Sequence, residues 1–176
     1  MTGSLKLIIP PEEIHIIVSR LAKDIRAEYG AKNPVFVSVM KGALVFTADL
    51  IRAVKVPLEV DFVQMSSYGK STMPAKEPVM TMDASLDLAD RHIIVVEAMI
   101  DRGVTISALV RYLAQKGPAS IRVCTLLLRN RRSFTSLPEI DFVGTHVSDG
   151  FVVGYGLDYK ERYRHLPGLY MLDAAQ

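Results

Sequence analysis

Fully apolar runs recur along this chain between segments with helical periodicity, and that alternation constrains its fold more than any other feature. "PVFVSVM" (34–40), "HIIVVEAM" (92–99) and "IRVCTLLL" (121–128) are apolar on both faces, as strands buried on both sides must be. Between them, Ile14, Ile17, Val18, Leu21 and Ile25 mark one helix, preceded by Pro10-Pro11 and Glu12-Glu13 and stopped by Gly30. Leu44, Val45, Ala48 and Ile51 mark the face of a second helix, and Ile106, Leu109, Val110 and Leu113 that of a third, ending at Gly117-Pro118. Strands alternating with helices predict a parallel sheet covered on both faces, with any ligand at the carboxyl ends of the strands.

"PLEVDFVQM" (57–65) reads as a strand with unequal faces, and further strands are expected at 121–128, 141–146, 151–156 and in "GLYML". "SSYGKSTMPAKEP" (66–78) has no periodicity and reads as a long loop, the kind that forms a lid in compact domains. At 176 residues the chain is expected to form one domain over 1–176. A net charge of +2 with scattered basic residues argues against a nucleic-acid partner, so any anion must be caught locally. The basic run "LLRNRRS" (127–133) is equally consistent with a solvated loop. The single cysteine, Cys124, the lack of a signal-like N-terminus and the lack of a long apolar span point to a cytoplasmic protein away from membranes.

Past the expected strands lie Lys41-Gly42, the stretch Glu97 to Thr105, and Arg129 to Arg132: two cationic turns and one acidic, glycine-containing turn. "DRGVT" (101–105) suits a monophosphate, because Gly103 permits inward-facing N–H groups, the following helix adds its positive end, and Thr105 adds a hydroxyl. An ordinary strand-to-helix turn capped by Thr105 would leave the same pattern. No triphosphate-binding glycine loop is present.

"VVEAMIDRGVT" (95–105) resembles the signature of the type I phosphoribosyltransferases. "VMKGALVFTADL", "VDFVQMSSYG", "FVGTHVSDGFVVGYGLDY" and "RYRHLP" resemble, in order, segments of the hypoxanthine-guanine branch of that family. The resemblance implies an α/β fold, a parallel sheet flanked by helices with a small hood and a mobile lid loop. It implies transfer of the 5-phosphoribosyl group of phosphoribosyl diphosphate to hypoxanthine or guanine, with Mg2+ present, giving IMP or GMP and pyrophosphate.

By the same resemblance Asp101, Arg102, Gly103, Val104 and Thr105 hold the 5′-phosphate, and Asp101 also manages the purine proton. Glu97 meets the ribose hydroxyls, directly or through metal-bound water, and Lys41, Gly42 and Arg164 bind pyrophosphate. Arg129, Phe151, Val152 and Asp158 surround the purine; Asp158 and Glu97 serve the metal. Ser67 and Tyr68 open the lid, and the peptide before Lys41 is often cis in the family. A homo-oligomer, dimer or tetramer, is implied as well.

Three positions depart from the family pattern. Ala98 stands where a second acid follows Glu97, Arg102 replaces a small hydroxyl residue, and Arg129 replaces the lysine that contacts the purine 6-oxo group. The first two changes make the turn more positive by two charges; loss of the second acid predicts weaker ribose or metal anchoring and an active but slower enzyme. The competing readings are a phosphoribosyltransferase-like regulator that binds a nucleotide without turnover, and a flavodoxin-like nucleotide binder. The first would bring a DNA-binding segment, of which 176 residues show no sign.

Overall fold

The computed structural model describes residues 4–66, 78–129 and 137–173. Among them, strand β1 (Leu5–Ile9) leads into helix α1 (Pro11–Tyr29), then β2 (Val35–Val39), α2 (Leu44–Val54), β3 (Glu59–Ser66), β4 (Val79–Met82) and β5 (His92–Ile100). Helix α3 (Val104–Ala114) follows, then β6 (Ser120–Arg129), β7 (Phe142–Val147), β8 (Phe151–Val153) and β9 (Leu169–Leu172).

A six-stranded sheet runs in the order β4-β3-β2-β5-β6-β7, parallel except for the antiparallel edge strand β4. The expected parallel sheet is therefore present, with one antiparallel edge. A separate three-stranded antiparallel sheet, β1-β9-β8, forms the hood.

The central strands β2, β5 and β6 are largely apolar on both faces because helices cover both. On one face Phe36, Ile94, Val96, Cys124 and Leu126 pack with Ile14, Leu21 and Ile25 of α1 and with Phe46 and Leu50 of α2. On the other, Val35, Val37, Val95 and Val123 pack with Ile106, Leu109 and Leu113 of α3. Complete burial of a Leu, Ile or Phe side chain contributes about 1.5–3 kcal/mol, so these two layers fix the sheet and with it the ends of its strands.

The expected face of α2 is corrected. Leu44 and Ala48 are exposed, whereas Phe46, Thr47, Leu50 and Val54 are buried. Both sides of this helix are apolar, so periodicity alone cannot choose between them. The packing chooses the side that carries Phe46, and Thr47 resolves its own burial by a 2.8 Å hydrogen bond with Ser38. In β3 the buried positions are Asp61 and Val63. Asp61 is accommodated there because it accepts hydrogen bonds from the Ser85 and Leu86 amides at 2.7 and 2.8 Å.

Candidate active site

The site begins where β5 ends. Ile94 and Val96 face the α1–α2 layer and Ile93 and Val95 the α3 layer, but beyond Glu97 the alternation slips, with Met99 packing on the first layer and Ile100 on the second. Glu97 stands at that slip, and its carboxylate accepts the Ala98 amide at 2.9 Å. Burial pushes the carboxyl up to about 7, against the pull of the Ala98 and Met99 amides.

The chain then turns through Asp101, Arg102 and Gly103. Gly103 has φ 78°, a left-handed conformation that favours glycine, and α3 starts at the next residue. Gly103 thus precedes the helix, and Thr105 lies within its first turn, so the alternative of Thr105 as cap does not hold. The first amides of a helix have no intrahelical acceptor and point out of its end. A cavity of about 390 Å³ opens there, lined by Glu97, by Asp101 through Thr105, and by their neighbours Met99, Ile100 and Ile106. All five expected phosphate-binding residues border this one space.

A second cavity, about 490 Å³, lies beside it and is lined by Arg129, Phe151, Val152 and Asp158 together with Asp149, Gly150 and Leu157. The two cavities share Met99 and Asp101. Phe151, the first residue of β8, is 47% exposed, unusual for a phenylalanine, and meets Tyr159 edge-on at 5.1 Å between ring centroids.

Arg129 ends β6 and is nearly enclosed, its side chain 6% exposed. Its Nη1 donates to Ser148 O at 2.6 Å and its Nη2 to Gly150 O at 2.9 Å and Met99 Sδ at 3.8 Å, while Nε lies 2.9 Å from Asp101 Oδ1. The guanidinium fork thus ties Asp101 to the turn that presents Phe151. A lysine has no such fork.

On the far side of Asp158, Arg164 donates to Gly156 O at 2.8 Å and pairs with Asp158 at 2.8 Å and Glu161 at 3.1 Å. Glu161 also pairs with Lys41 at 3.1 Å. The Met40–Lys41 peptide is cis. The turn after it packs closely on the hood: Gly156 has φ 96°, and a Cβ there would come within 2.5 Å of Gly42 O. At Gly42 itself a Cβ would meet only Leu157, at 3.5 Å, so packing does not demand that glycine.

Ala98, the first departure, is fully buried and borders neither cavity. Arg102, the second, is exposed at the rim of the phosphate-type cavity. Ser67 and Tyr68, expected to open the lid, and the basic residues Arg131 and Arg132 lie outside the described residues. The sequence did not single out Met99, Asp149, Gly150, Leu157, Tyr159 or Glu161. Of these only Tyr159 stood inside a quoted motif as an aromatic beside the expected purine site. A larger cavity, about 870 Å³ between α1, α2 and residues 164–167, shares only Arg164 with the expected site.

Among the described residues no three His, Cys, Asp or Glu side chains gather to hold a metal. Glu97 and Asp158 border different cavities. Such isolated carboxylates suit Mg2+, which keeps several waters and takes one or two carboxylates plus substrate phosphates.

Residues 10–160 match the phosphoribosyl transferase domain, and the chain belongs to that family. Within it, the chain is 41% identical over 170 residues to the hypoxanthine-guanine phosphoribosyltransferase of Bacillus subtilis strain 168, covering 97% of this chain and 94% of that one. It is 36% identical over 169 residues to the hypoxanthine phosphoribosyltransferase of Escherichia coli K12, covering 95% and 94%. The crystal structure of a hypoxanthine-guanine phosphoribosyltransferase from Bacillus anthracis, with HEPES in its active site, superposes with a TM-score of 0.89 at 33% identity, covering 97% of this chain and all of that one.

Proposed function

We propose that this protein is a purine salvage enzyme that transfers the 5-phosphoribosyl group of phosphoribosyl diphosphate to hypoxanthine or guanine, releasing pyrophosphate. The observation that carries this reading is the position of Asp101. It borders a phosphate-type cavity at the end of β5 and an aromatic-walled cavity under β8, where the sugar of one substrate meets the ring of the other.

The reaction breaks the bond from the sugar C1 to the diphosphate oxygen and forms one from C1 to a purine nitrogen, through an oxocarbenium-like sugar. The chain's part is to hold both substrates in line and to stabilise charge where it develops. The 101–105 turn and the α3 N-terminus fix the 5′-phosphate, with Arg102 as an added cation at the rim. Glu97 faces the ribose hydroxyls. Lys41, Gly42 and Arg164 receive the departing diphosphate. Glu97 and Asp158 would be the carboxylates to hold Mg2+, which would supply further neutralisation of the phosphate charge. To Asp101 we assign the proton that the purine gives up at N7.

Phe151 stacks on the purine, and the Val152 main chain reads its edge. Arg129 acts on the base through the turn it holds, its cationic edge favouring a 6-oxo group over a 6-amino group.

The same reading takes residues 1–176 as one catalytic domain, working in the cytoplasm as a dimer or tetramer without a nucleic-acid partner. The buried Cys124 thiol, its pKa raised by burial, fits that compartment. No helix among the described residues is long and apolar enough to cross a membrane. Purine-dependent pyrophosphate release from phosphoribosyl diphosphate and Mg2+ tests the activity. Turnover with hypoxanthine or guanine is expected; none with any 6-oxopurine would overturn it.

A further inference from the structure

Lys41 and Arg164, the two cations assigned above to the diphosphate, already share an anion. Glu161 Oε1 lies 3.1 Å from Lys41 Nζ, and Glu161 Oε2 lies 3.1 Å from Arg164 Nη2, so one carboxylate straddles both. Two anionic oxygens set on two cations is the arrangement a phosphate group would present to them.

Glu161 is held there by its backbone. Lys160, Glu161 and Tyr163 have φ of 53°, 62° and 77°, and the turn is closed by reciprocal Tyr159–Arg162 main-chain hydrogen bonds at 3.1 Å. The Glu161 amide donates to Asp158 Oδ2 at 2.8 Å, which fixes the residue beside the site without using its side chain. Both partners of the Lys41 pair stay open to water, with side chains 52% and 64% exposed. Pairs of that kind are weak enough for a more highly charged ligand to displace. Lys41 and then Arg164 hold the Glu161 carboxyl below its ordinary range, so it remains an anion whenever the site is open.

We propose that Glu161 is a built-in competitor for the diphosphate group: its carboxylate occupies Lys41 and Arg164 in the ligand-free enzyme and is displaced when phosphoribosyl diphosphate or free pyrophosphate binds. This rests on Lys41 and Arg164 being the diphosphate partners. The competitor lowers affinity for the diphosphate on entry and takes back the two cations as pyrophosphate leaves. Its effect is confined to that end of the site, because Glu161 borders neither the phosphate-type nor the purine cavity.

Glu161→Gln keeps the size of the side chain and the amide bond to Asp158 while removing the competing charge. It is expected to lower the KM for phosphoribosyl diphosphate and the inhibition constant for pyrophosphate by about three- to tenfold, with the purine KM unchanged. Calorimetric binding of pyrophosphate with Mg2+ to the same variant gives the affinity without turnover. Unchanged constants, with or without a lower melting temperature, would overturn the competitor role and leave Glu161 as a fastener of its turn. A raised KM would overturn it as well, marking Glu161 as a helper of the diphosphate or its metal. Lys41→Met separates the premise from the inference. If Lys41→Met leaves the KM for phosphoribosyl diphosphate unchanged, the assignment of Lys41 fails. If it raises that KM while Glu161→Gln changes nothing, only the competitor fails.

Discussion

At the purine end of the site the cation is sealed in. Arg129 is almost wholly buried, and its nitrogens engage two main-chain oxygens, a thioether and Asp101. At the diphosphate end Lys41 is half open to water and Arg164 partly buried, and both pair with carboxylates on the 158–161 turn. The contrast follows the ligands. A flat, uncharged purine brings little energy with which to rearrange protein, so its wall must be formed in advance. A diphosphate arrives with several negative charges and a metal, and can displace exposed ion pairs that are each worth about 0–1 kcal/mol.

The largest expected effect falls on Asp101, where the 5′-phosphate and purine cavities meet. Asp101→Asn keeps the shape but cannot take a proton, and kcat should fall about 10²- to 10⁴-fold, measured by pyrophosphate release. A loss below tenfold would mean that Asp101 serves only the turn.

Arg129→Lys comes next, because it restores the family's residue but not the fork. A lysine cannot reach Ser148 O, Gly150 O and Asp101 together, so kcat/KM for the purine should drop about ten- to a hundredfold while the KM for phosphoribosyl diphosphate holds. Should the lysine variant match or exceed the parent toward hypoxanthine, the claim of a preformed purine end breaks.

Ala98→Asp sharpens the same division from the strand side. Position 98 is fully buried outside both cavities, so a carboxylate there should cost about 1–3 kcal/mol of stability, read by urea unfolding, without raising turnover. A large rise in activity would show instead that the chain is a binder disabled by the missing acid.

The smallest effect is electrostatic. In the unfolded chain Glu97 ionises near 4.5, in the fold near 7. Its contribution to stability is therefore complete below about pH 4.5 and is lost as pH rises toward 7, where the unfolded chain ionises and the fold resists. Glu97→Gln removes that dependence, so relative to the parent it should gain on the order of 1–3 kcal/mol between pH 5 and pH 8. A stability difference that does not change with pH would count against a desolvated Glu97.

Much of this was legible in the sequence where the signal was local. The α1 face from Ile14 to Ile25, the strand from His92 and the glycine turn into α3 each carried their own periodicity or backbone requirement, and the structure places them as read. What depended on distant partners was not. Strand β1 is only "LKLII", and its partner β9 lies at the other end of the chain; β4 is "VMTM" and exists by pairing with β3. The buried side of α2 was set by tertiary packing between two apolar faces. For Arg129, nothing nearby in sequence announces Ser148 O and Gly150 O as its acceptors. Glu161 was not singled out at all, since its partner Lys41 is 120 positions away.

The most direct test of the contrast between the two ends is a crystal structure with a purine nucleoside monophosphate, pyrophosphate and Mg2+ bound. The account predicts the 5′-phosphate in the 101–105 turn, the purine on Phe151 with Arg129 still bonded to Ser148 O and Gly150 O, and pyrophosphate on Lys41 and Arg164 with the Glu161 side chain displaced. A structure in which Arg129 leaves both main-chain oxygens to reach the purine, while Glu161 keeps Lys41 and Arg164, would contradict it.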